Sequence, residues 1–262
     1  EVLSAEAASF DPQLRQATPA QLLSHRSGLA AYASGAELSS VEPIGDTPSA
    51  QRSSFALQLL RAPPAQAPGQ AFVYSNAGYI VAGVMLERVG GAPIETLMRE
   101  RLFAPLGMAH TAFGDPAPSE TGQPLGHYLR DGAQAVYLEA EPAIPPFLTA
   151  AGDVSLPLED YGAYLREHLC GLRGAPTRLL PAALIADLHQ PQGEDGASLG
   201  WGAYAFNGAP ASIHVGGTGA FSAFVAIIPS RDLAVATVVN SGAPDARTAA
   251  LSLMQSIIQD PP

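Results

Sequence analysis

The stretch that decides the fold is residues 212–239, which read SIHVGGTGAFSAFVAIIPSRDLAVATVV. Short runs of valine, isoleucine, alanine and phenylalanine fill most of it, and such runs are typical of buried strands. Residues 229–232 interrupt these runs with Pro-Ser-Arg-Asp, the residue types of a tight turn. After the stretch, residues 244–258 have the apolar spacing of a closing helix. The predicted strands are Trp201–Phe206, Ser212–Val215, Phe221–Ile228 and Leu233–Val239.

The chain before this stretch is mainly helical in pattern. Apolar residues recur at helical spacing from Ala77 to Met85, and Gly90-Gly91 ends that helix. Residues 114–147 are rich in proline and glycine, which predicts a long functional loop. A further helix is predicted to begin at Ser49 as its N-cap. That helix covers residues 49–61. The remaining predicted helices are a short one that begins at Thr18-Pro19 and three that cover residues 93–103, 157–170 and 181–188.

Composition excludes several classes of protein. A chain of 262 residues can bury a sizeable core in one or two domains. Its net charge of -11 argues against nucleic acids and anionic membranes as partners. The apolar runs are too short to span a membrane. Cys170 is the single cysteine, so the chain cannot form an internal disulfide.

A first candidate for catalysis is the triplet Tyr74-Ser75-Asn76, which lies between an extended step and a helix. Acyl-transfer chemistry needs a proton acceptor close to its nucleophile and a polar group that orients the substrate. A tyrosine has a free pKa of about 10, so it needs a nearby cation to act as a base at neutral pH. The structural alternative is a buried tyrosine followed by an asparagine that caps the helix.

A second candidate is His214-Val215-Gly216, on a predicted strand. A histidine there can supply positive charge, and a glycine allows another backbone to lie close to the strand. The structural alternative is a satisfied histidine near a strand turn. Other chemistries lack their motifs, since the sequence has no Gly-x-Ser-x-Gly elbow, no His-Glu-x-x-His pair, no phosphate-binding glycine loop and no Cys/His metal spacing. We therefore expect no cofactor and no metal.

The two triplets, in this order, resemble the second and third catalytic motifs of the serine β-lactamase and penicillin-binding-protein superfamily. The branch that fits best contains class C β-lactamases, D-alanyl-D-alanine carboxypeptidases and esterases. The order and spacing of five matching stretches make the resemblance specific. The other three are Leu22–Leu29, Phe103–Met108 with Thr111, and Ala150–Val154 followed by Asp160.

The resemblance implies an α+β fold, in which an antiparallel sheet is flanked by helices and a mainly helical second domain lies beside it. The implied division has three parts. Residues 1–17 are the remnant of an N-terminal α/β region, residues 18–190 form the helical domain that carries Tyr-Ser-Asn, and residues 191–262 form the C-terminal sheet with its closing helix. The active site is then expected between the two domains.

The resemblance also implies roles for individual residues. Tyr74 shuttles a proton, Asn76 orients the acyl side chain and His214 polarises the site. The backbone N–H of Gly217 forms one arm of the oxyanion hole, and Gly216 and Thr218 bind substrate. We expect these residues to converge on one cleft.

Three residues qualify this picture. Val215 stands where the family usually has a hydroxyl residue, which weakens carboxylate binding and favours esters or small amides over β-lactams. His25 and Ser27 look catalytic in isolation, but the resemblance assigns them to a structural loop.

The family's first motif, Ser-x-x-Lys, is not in the sequence, because all thirteen basic residues are arginine. Glu1-Val2-Leu3 is similar to the end of the segment that follows this motif in the family. Either the nucleophile lies on a separate cleaved chain, or residues 1–262 are part of a longer chain, or the protein is a degenerate relative that only binds. The first two are favoured because Tyr74, Asn76, His214 and Gly216 are all in place.

The expected function is therefore that of a serine hydrolase acting on an ester, a β-lactam or a D-amino-acid amide, with residues 1–262 inactive alone. Its partners are a small-molecule substrate and a segment or second chain that carries Ser-x-x-Lys. Without that segment, we expect the helix face around Val81 and Val84 and one strand edge to be exposed. The resemblance favours a periplasmic or secreted location. The alternatives are a catalytically dead binding protein of the same fold and an unrelated α+β binding module.

Overall fold

The computed structural model describes residues 2–42, 44–114, 122–130, 134–136 and 144–260. The chain divides into two compact units. The helical unit comprises Glu1–Leu102, Pro145–Asp153 and Gln192–Gly200, and the sheet unit comprises Phe103–Ile144, Val154–Pro191 and Trp201–Pro262.

The helical unit is built around one central helix, α4 (Asn76–Gly90), against which the other long helix of the unit packs. Two glycines allow close approach. A Cβ on Gly78 would lie 2.8 Å from the Leu22 carbonyl oxygen, and one on Gly83 would lie 2.5 Å from the Ala150 Cβ. The other helices are α1 (Pro19–Leu23), α2 (Gly35–Ser39), α3 (Pro48–Arg61) and α5 (Ile94–Met98), with 3₁₀ turns at Ala7–Ser9, Leu14–Gln16 and Pro146–Leu148.

Three sequence predictions about these helices are corrected. Helix α3 is capped by Thr47, whose hydroxyl accepts from the Ala50 N–H at 3.2 Å, rather than by Ser49. The helix predicted over residues 93–103 ends as α5 and continues as a π-helical turn at Arg99–Phe103. Val81 and Val84 are buried at 2% and 3% exposure, so the exposed face expected there is wrong.

The sheet unit contains a four-stranded antiparallel sheet in the order β5-β6-β7-β8, with neighbours in the chain adjacent in the sheet. This arrangement follows from tight connections, as at Asp232, which ends the Pro229–Arg231 turn in the left-handed region with φ 52°. Its strands are β5 (Gly202–Phe206), β6 (Ala209–Gly217), β7 (Ser222–Ile228) and β8 (Leu233–Val239), and its main helices are α7 (Leu158–Leu172), α8 (Ala182–His189) and α9 (Pro244–Gln259).

Strand β7 is buried on both faces, and its side chains alternate between two clusters. Phe224, Ala226 and Ile228 pack with α9 through Met254, whereas Val225 and Ile227 belong to a cluster that α7 contributes to. The antiparallel sheet flanked by helices confirms the predicted α+β class.

The compact units differ from the division predicted at residue 190. Helix α7 belongs with the sheet because its Leu165 and Leu169 pack against β7, and α8 packs on α7. An amphipathic pattern shows which face of a helix is apolar but not which element covers that face.

The segment from residue 114 to residue 147 contains, where described, the antiparallel strand pair β2 (Tyr128–Arg130) and β3 (Gln134–Val136). The rest of the predicted long loop lies partly outside the described residues. Short elements near it are α6 (Ala104–Leu106), β1 (Ala112–Phe113) and β4 (Val154–Ser155). Among the described residues, no helix is both long and apolar enough to cross a membrane.

Candidate active site

The start of α4 fixes the first motif. Ser75, rather than Asn76, is the N-cap, and its hydroxyl accepts from the Gly78 N–H at 3.2 Å. The same hydroxyl donates to the Ala30 carbonyl at 2.7 Å, and the Ser75 N–H donates to His25 Nδ1 at 3.1 Å. The motif is therefore tied to the loop before α2 as well as to its own helix.

Tyr74 and Asn76 form one polar pair on this anchored turn. The Tyr74 hydroxyl donates to Asn76 Oδ1 at 3.1 Å, and Asn76 Nδ2 donates to the Tyr32 carbonyl at 2.8 Å. The contact with Tyr32 fixes which way the amide points, because a carbonyl accepts only from the NH₂ group. Tyr32 has φ 46°, a left-handed conformation uncommon outside glycine.

Tyr74 is half-exposed, and partial burial does not activate its hydroxyl. Its side chain is 50% exposed, and desolvation raises its pKa above the usual value of 10. The neutral phenol is therefore the stable form near pH 7. A positive charge close to the hydroxyl is needed before Tyr74 can accept a proton.

His25 packs against the motif as an aromatic support. Its ring lies 4.6 Å from the Tyr74 ring, 5.2 Å from that of Tyr79 and 5.5 Å from that of Phe72. Because Nδ1 accepts from Ser75, the proton of the neutral ring lies on Nε2. Ser27 is 1% exposed, and its hydroxyl accepts from the Leu29 N–H. Both residues have structural roles, as the loop interpretation predicts.

The second motif lies at the end of β6 in the sheet unit. Strand β5 pairs with β6 only as far as Ile213, opposite Gly202, whereas β7 pairs with it through Gly217, opposite Ser222. Among the described strands, β5 therefore does not accompany β6 at Val215, Gly216 and Gly217. His214 is exposed, and Val215 is 49% exposed.

The hydroxyl of Thr218 stabilises the turn after β6. Thr218 Oγ1 accepts from the N–H groups of Ala220 at 3.3 Å and Phe221 at 3.1 Å, and Gly219 follows with φ 86°. The predicted substrate-binding residue Thr218 is thus also a turn former, and its hydroxyl hydrogen can still be donated to another group.

His127 and Arg247 are two residues near this motif that sequence reasoning missed. His127 donates its backbone N–H to the Ala220 carbonyl at 3.1 Å and so fixes the turn. Arg247 Nη1 donates to Ser222 Oγ at 2.9 Å and lies 3.2 Å from where a Cβ on Gly217 would be. An arginine in the first turn of the closing helix was the only sequence signal for this positive charge.

Thr111 and Asp160 belong to two of the supporting stretches, and the structure brings them together. Asp160 Oδ2 accepts from the Thr111 hydroxyl at 2.8 Å and from the His110 N–H at 2.9 Å. These residues support the sheet unit away from the candidate site. Within the described ranges, no group of three or more His, Cys, Asp or Glu could hold a metal ion.

The predicted site residues thus form two local groups. Tyr74 and Asn76 lie in the helical unit, and His214, Gly216, Gly217 and Thr218 lie in the sheet unit. The single cleft expected for both groups stays a prediction.

Comparison with known proteins identifies the family. Residues 9–256 match the family model described as Beta-lactamase, and the chain belongs to that family. The unguisins hydrolase ungD of Aspergillus violaceofuscus is 27% identical over 244 residues, which cover 84% of this chain and 42% of that protein. The chain therefore spans less than half the length of this curated relative.

Solved structures show the same fold. SurE, in a structure with D-Leu, is 29% identical with a TM-score of 0.70, and the match covers 96% of this chain and 60% of SurE. The D-amino acid amidase of Ochrobactrum anthropi is 23% identical with a TM-score of 0.70, and the match covers 95% of this chain and 72% of the amidase.

Proposed function

We propose that this protein is a serine hydrolase that forms an acyl-enzyme from an ester or amide of a D-amino acid. The nucleophilic serine and its lysine lie, on this proposal, outside residues 1–262. Family membership and hydrolase relatives support the reaction class. The D-leucine in the related SurE structure supports the substrate class.

The observation that carries the proposal is the pair formed by Tyr74 and Asn76. Tyr74 is half-exposed, and its hydroxyl is held by an amide that is itself held by the Tyr32 carbonyl, which supports a role in proton exchange with a bound group. General acid–base groups have to combine access with fixed geometry.

The reaction divides into two acyl transfers. In the first, the serine oxygen bonds to the substrate carbonyl carbon while its proton passes to the Tyr74 phenolate, which the lysine ammonium stabilises. The Gly217 N–H stabilises the oxyanion. The C–N or C–O bond to the leaving group then breaks as Tyr74 returns the proton to that group. In the second transfer, water repeats the sequence and releases the acid and the free serine.

The open edge of β6 suits a substrate with an amide backbone. The backbone from Val215 to Gly217 can pair with an extended acyl chain, and Gly216 has no Cβ to keep that chain away. Val215 replaces the hydroxyl residue expected from the resemblance, so the site offers one fewer donor to a β-lactam carboxylate. Esters and small amides of D-amino acids are therefore the favoured substrates, and β-lactams are the second candidates.

The segment that carries Ser-x-x-Lys is also proposed to complete the sheet along β8. Among the described strands β8 lies at one edge, and Leu233–Val239 contains no charged residue and no proline to prevent pairing. Val238 on this strand is 48% exposed. A strand supplied by the same segment would pair with this edge.

The test uses the complete protein and the change Tyr74→Phe, which removes only the hydroxyl. Hydrolysis of D-leucine nitroanilide and D-leucine nitrophenyl ester should fall by about 10²–10⁴ in kcat/KM, the usual contribution of a general acid–base group. Tyr204→Phe is the matched control because Tyr204 is 53% exposed, close to the 50% of Tyr74. The control should stay within about twofold of the wild type, as expected for a surface change.

The location of the nucleophile is tested on the same protein. A fluorophosphonate probe should label one serine outside residues 1–262, and hydrogen exchange should find the amides of β8 protected. A labelled serine within residues 1–262 refutes the proposal. Binding of D-leucine amide without any turnover or labelling would instead support the non-catalytic alternative.

A further inference from the structure

A buried chain of hydrogen bonds lies in the sheet unit, outside the proposed mechanism. His168 Nδ1 lies 2.8 Å from His189 Nε2, and His189 Nδ1 lies 2.7 Å from Ser212 Oγ. The three residues come from α7, α8 and β6 and are exposed by only 7%, 7% and 8%. Burying polar rings is costly unless they are hydrogen-bonded, and these two rings bond to each other and to Ser212.

Two direct chemical uses fit the geometry badly. Ser212 lies in the middle of β6, between Ala203 of β5 and Ile227 of β7, so an acyl substrate has no approach to its hydroxyl. The two facing ring nitrogens of the histidines are 2.8 Å apart, too close for a metal ion to lie between them. The contact is the length of a shared hydrogen bond.

The number of protons on the two imidazole rings decides whether the hydrogen bond between them can form. With both rings neutral, each of the two contacts contains one hydrogen. One added proton can still be accommodated if His189 donates to both Ser212 and His168. A second added proton puts two N–H groups head to head, and the contact between the rings has to open.

Burial keeps the rings neutral. Desolvation lowers the pKa of His168 to about 4, against a smaller opposing effect of the Glu167 carboxylate. Desolvation and the neighbouring His168 lower the pKa of His189 to about 3. Two other titratable groups lie near the pair. Tyr164 packs on His168, and burial raises its pKa, so it stays neutral. The other is His214, on β6.

Trp201 connects this chain to the candidate active site. Its ring stacks on His189 at 4.6 Å and meets the His214 ring edge-to-face at 6.3 Å. A second connection runs along β6, because Ser212 and His214 are two residues apart and therefore project from the same face of the strand. Two of the three residues that bond to or stack on His189, Ser212 and Trp201, therefore lie close to His214.

We propose that His189 and Trp201 are positioning residues for His214, and that the shared hydrogen bond of the histidine pair holds this support only while the pair is not fully protonated. Acid would open the contact, release Trp201 and change the setting of His214. The effect on catalysis rests on the proposed function, but the effect on Trp201 and His214 does not.

The experiment follows two probes through a titration from pH 7 to pH 2 in the complete protein. Trp201 is the single tryptophan of residues 1–262, and its emission is obtained as the difference between the wild type and Trp201→Phe. A protonated imidazole quenches a stacked indole, so this emission should fall near pH 3, where His189 takes up the second proton. The ring nitrogens of His214, observed by NMR, should shift over the same range.

His189→Gln and His110→Gln are the variant and its matched control. Glutamine can keep hydrogen bonds to Ser212 and His168 but cannot take up a proton, so both transitions near pH 3 should disappear. His110 is exposed and engages Asp160 through its backbone, so its replacement should leave both transitions unchanged.

Two results overturn the proposal. One is a Trp201 transition that is still present in His189→Gln, and the other is a His214 chemical shift that does not change over the pH range of the Trp201 transition. If both probes respond as expected while no substrate is turned over at any pH, the support role stands and the proposed function fails.

Discussion

Replacing Arg52 by methionine should destabilise the protein far more than removing an ordinary surface charge. The Arg52 side chain is completely buried, and its Nη2 donates to Glu87 Oε1 at 3.0 Å and to Glu95 Oε1 at 2.7 Å. Its Nη1 donates to the Pro146 carbonyl at 3.0 Å. This one guanidinium therefore links α3, α4, α5 and the segment that begins at Pro145.

The magnitude follows from what the change leaves behind. The Glu87 and Glu95 side chains are 9% and 19% exposed, so removing Arg52 leaves two carboxylates in a poorly hydrated place without their counter-charge. Breaking a buried ion pair from one side costs about 3–5 kcal/mol. Arg88 pairs with Glu6 at 2.9 Å but is 45% exposed, so Arg88→Met should cost about 0–1 kcal/mol.

Urea unfolding of the complete protein, followed by circular dichroism, measures both free energies of unfolding. A further variant that combines Arg52→Met with Glu87→Gln and Glu95→Gln should recover most of the loss, because no buried charge then remains. If Arg52→Met costs no more than Arg88→Met, or if neutralising the glutamates recovers nothing, the buried-charge argument is wrong.

Two further predictions concern the sheet unit. Asp160→Ala should cost about 2–4 kcal/mol in free energy of unfolding, because two donors lose a buried charged acceptor, whereas the exposed neighbour Glu159→Ala should cost under about 1 kcal/mol; both are measured by urea unfolding. Because the pKa values of His168 and His189 are lowered to about 4 and about 3, the unfolded chain binds more protons below pH 6.5. The free energy of unfolding should therefore be constant above that pH and fall by up to about 1.4 kcal/mol per pH unit for each histidine below it; thermal melts of the wild type and His189→Gln from pH 7 to pH 4 should show the smaller slope in the variant.

Local patterns in the sequence were enough to predict much of the sheet unit. Strand β8 was predicted with the bounds it has, and α9 differs by one residue at its end, because apolar runs between turn residues are signals that neighbouring residues carry. Helix α3 shows the same logic where the prediction was wrong. Thr47-Pro48 repeats the N-cap and first-turn proline of Thr18-Pro19, so the sequence does contain the correct signal. The prediction of Ser49 as the N-cap overlooks it.

Contacts between distant parts of the chain could not be predicted. The grouping of Arg52 with Glu87 and Glu95, and of His168 with His189, depends on which helix packs on which. No periodicity encodes that choice. The resemblance predicted Thr111 and Asp160 as members of separate motifs but gave no reason to expect their hydrogen bond.

The candidate site shows the same difference between local patterns and contacts with distant parts of the chain. Tyr74 and Asn76 could be identified because they are only two residues apart in the chain, but whether Tyr74 works as a base depends on charge that reaches it from elsewhere. Burial raises its pKa, so the phenolate needs a cation to stabilise it. The sequence contains no lysine, and the resemblance assigns the cation to Ser-x-x-Lys. On the proposed function, one missing segment therefore supplies both the nucleophile and the charge that turns Tyr74 into its base.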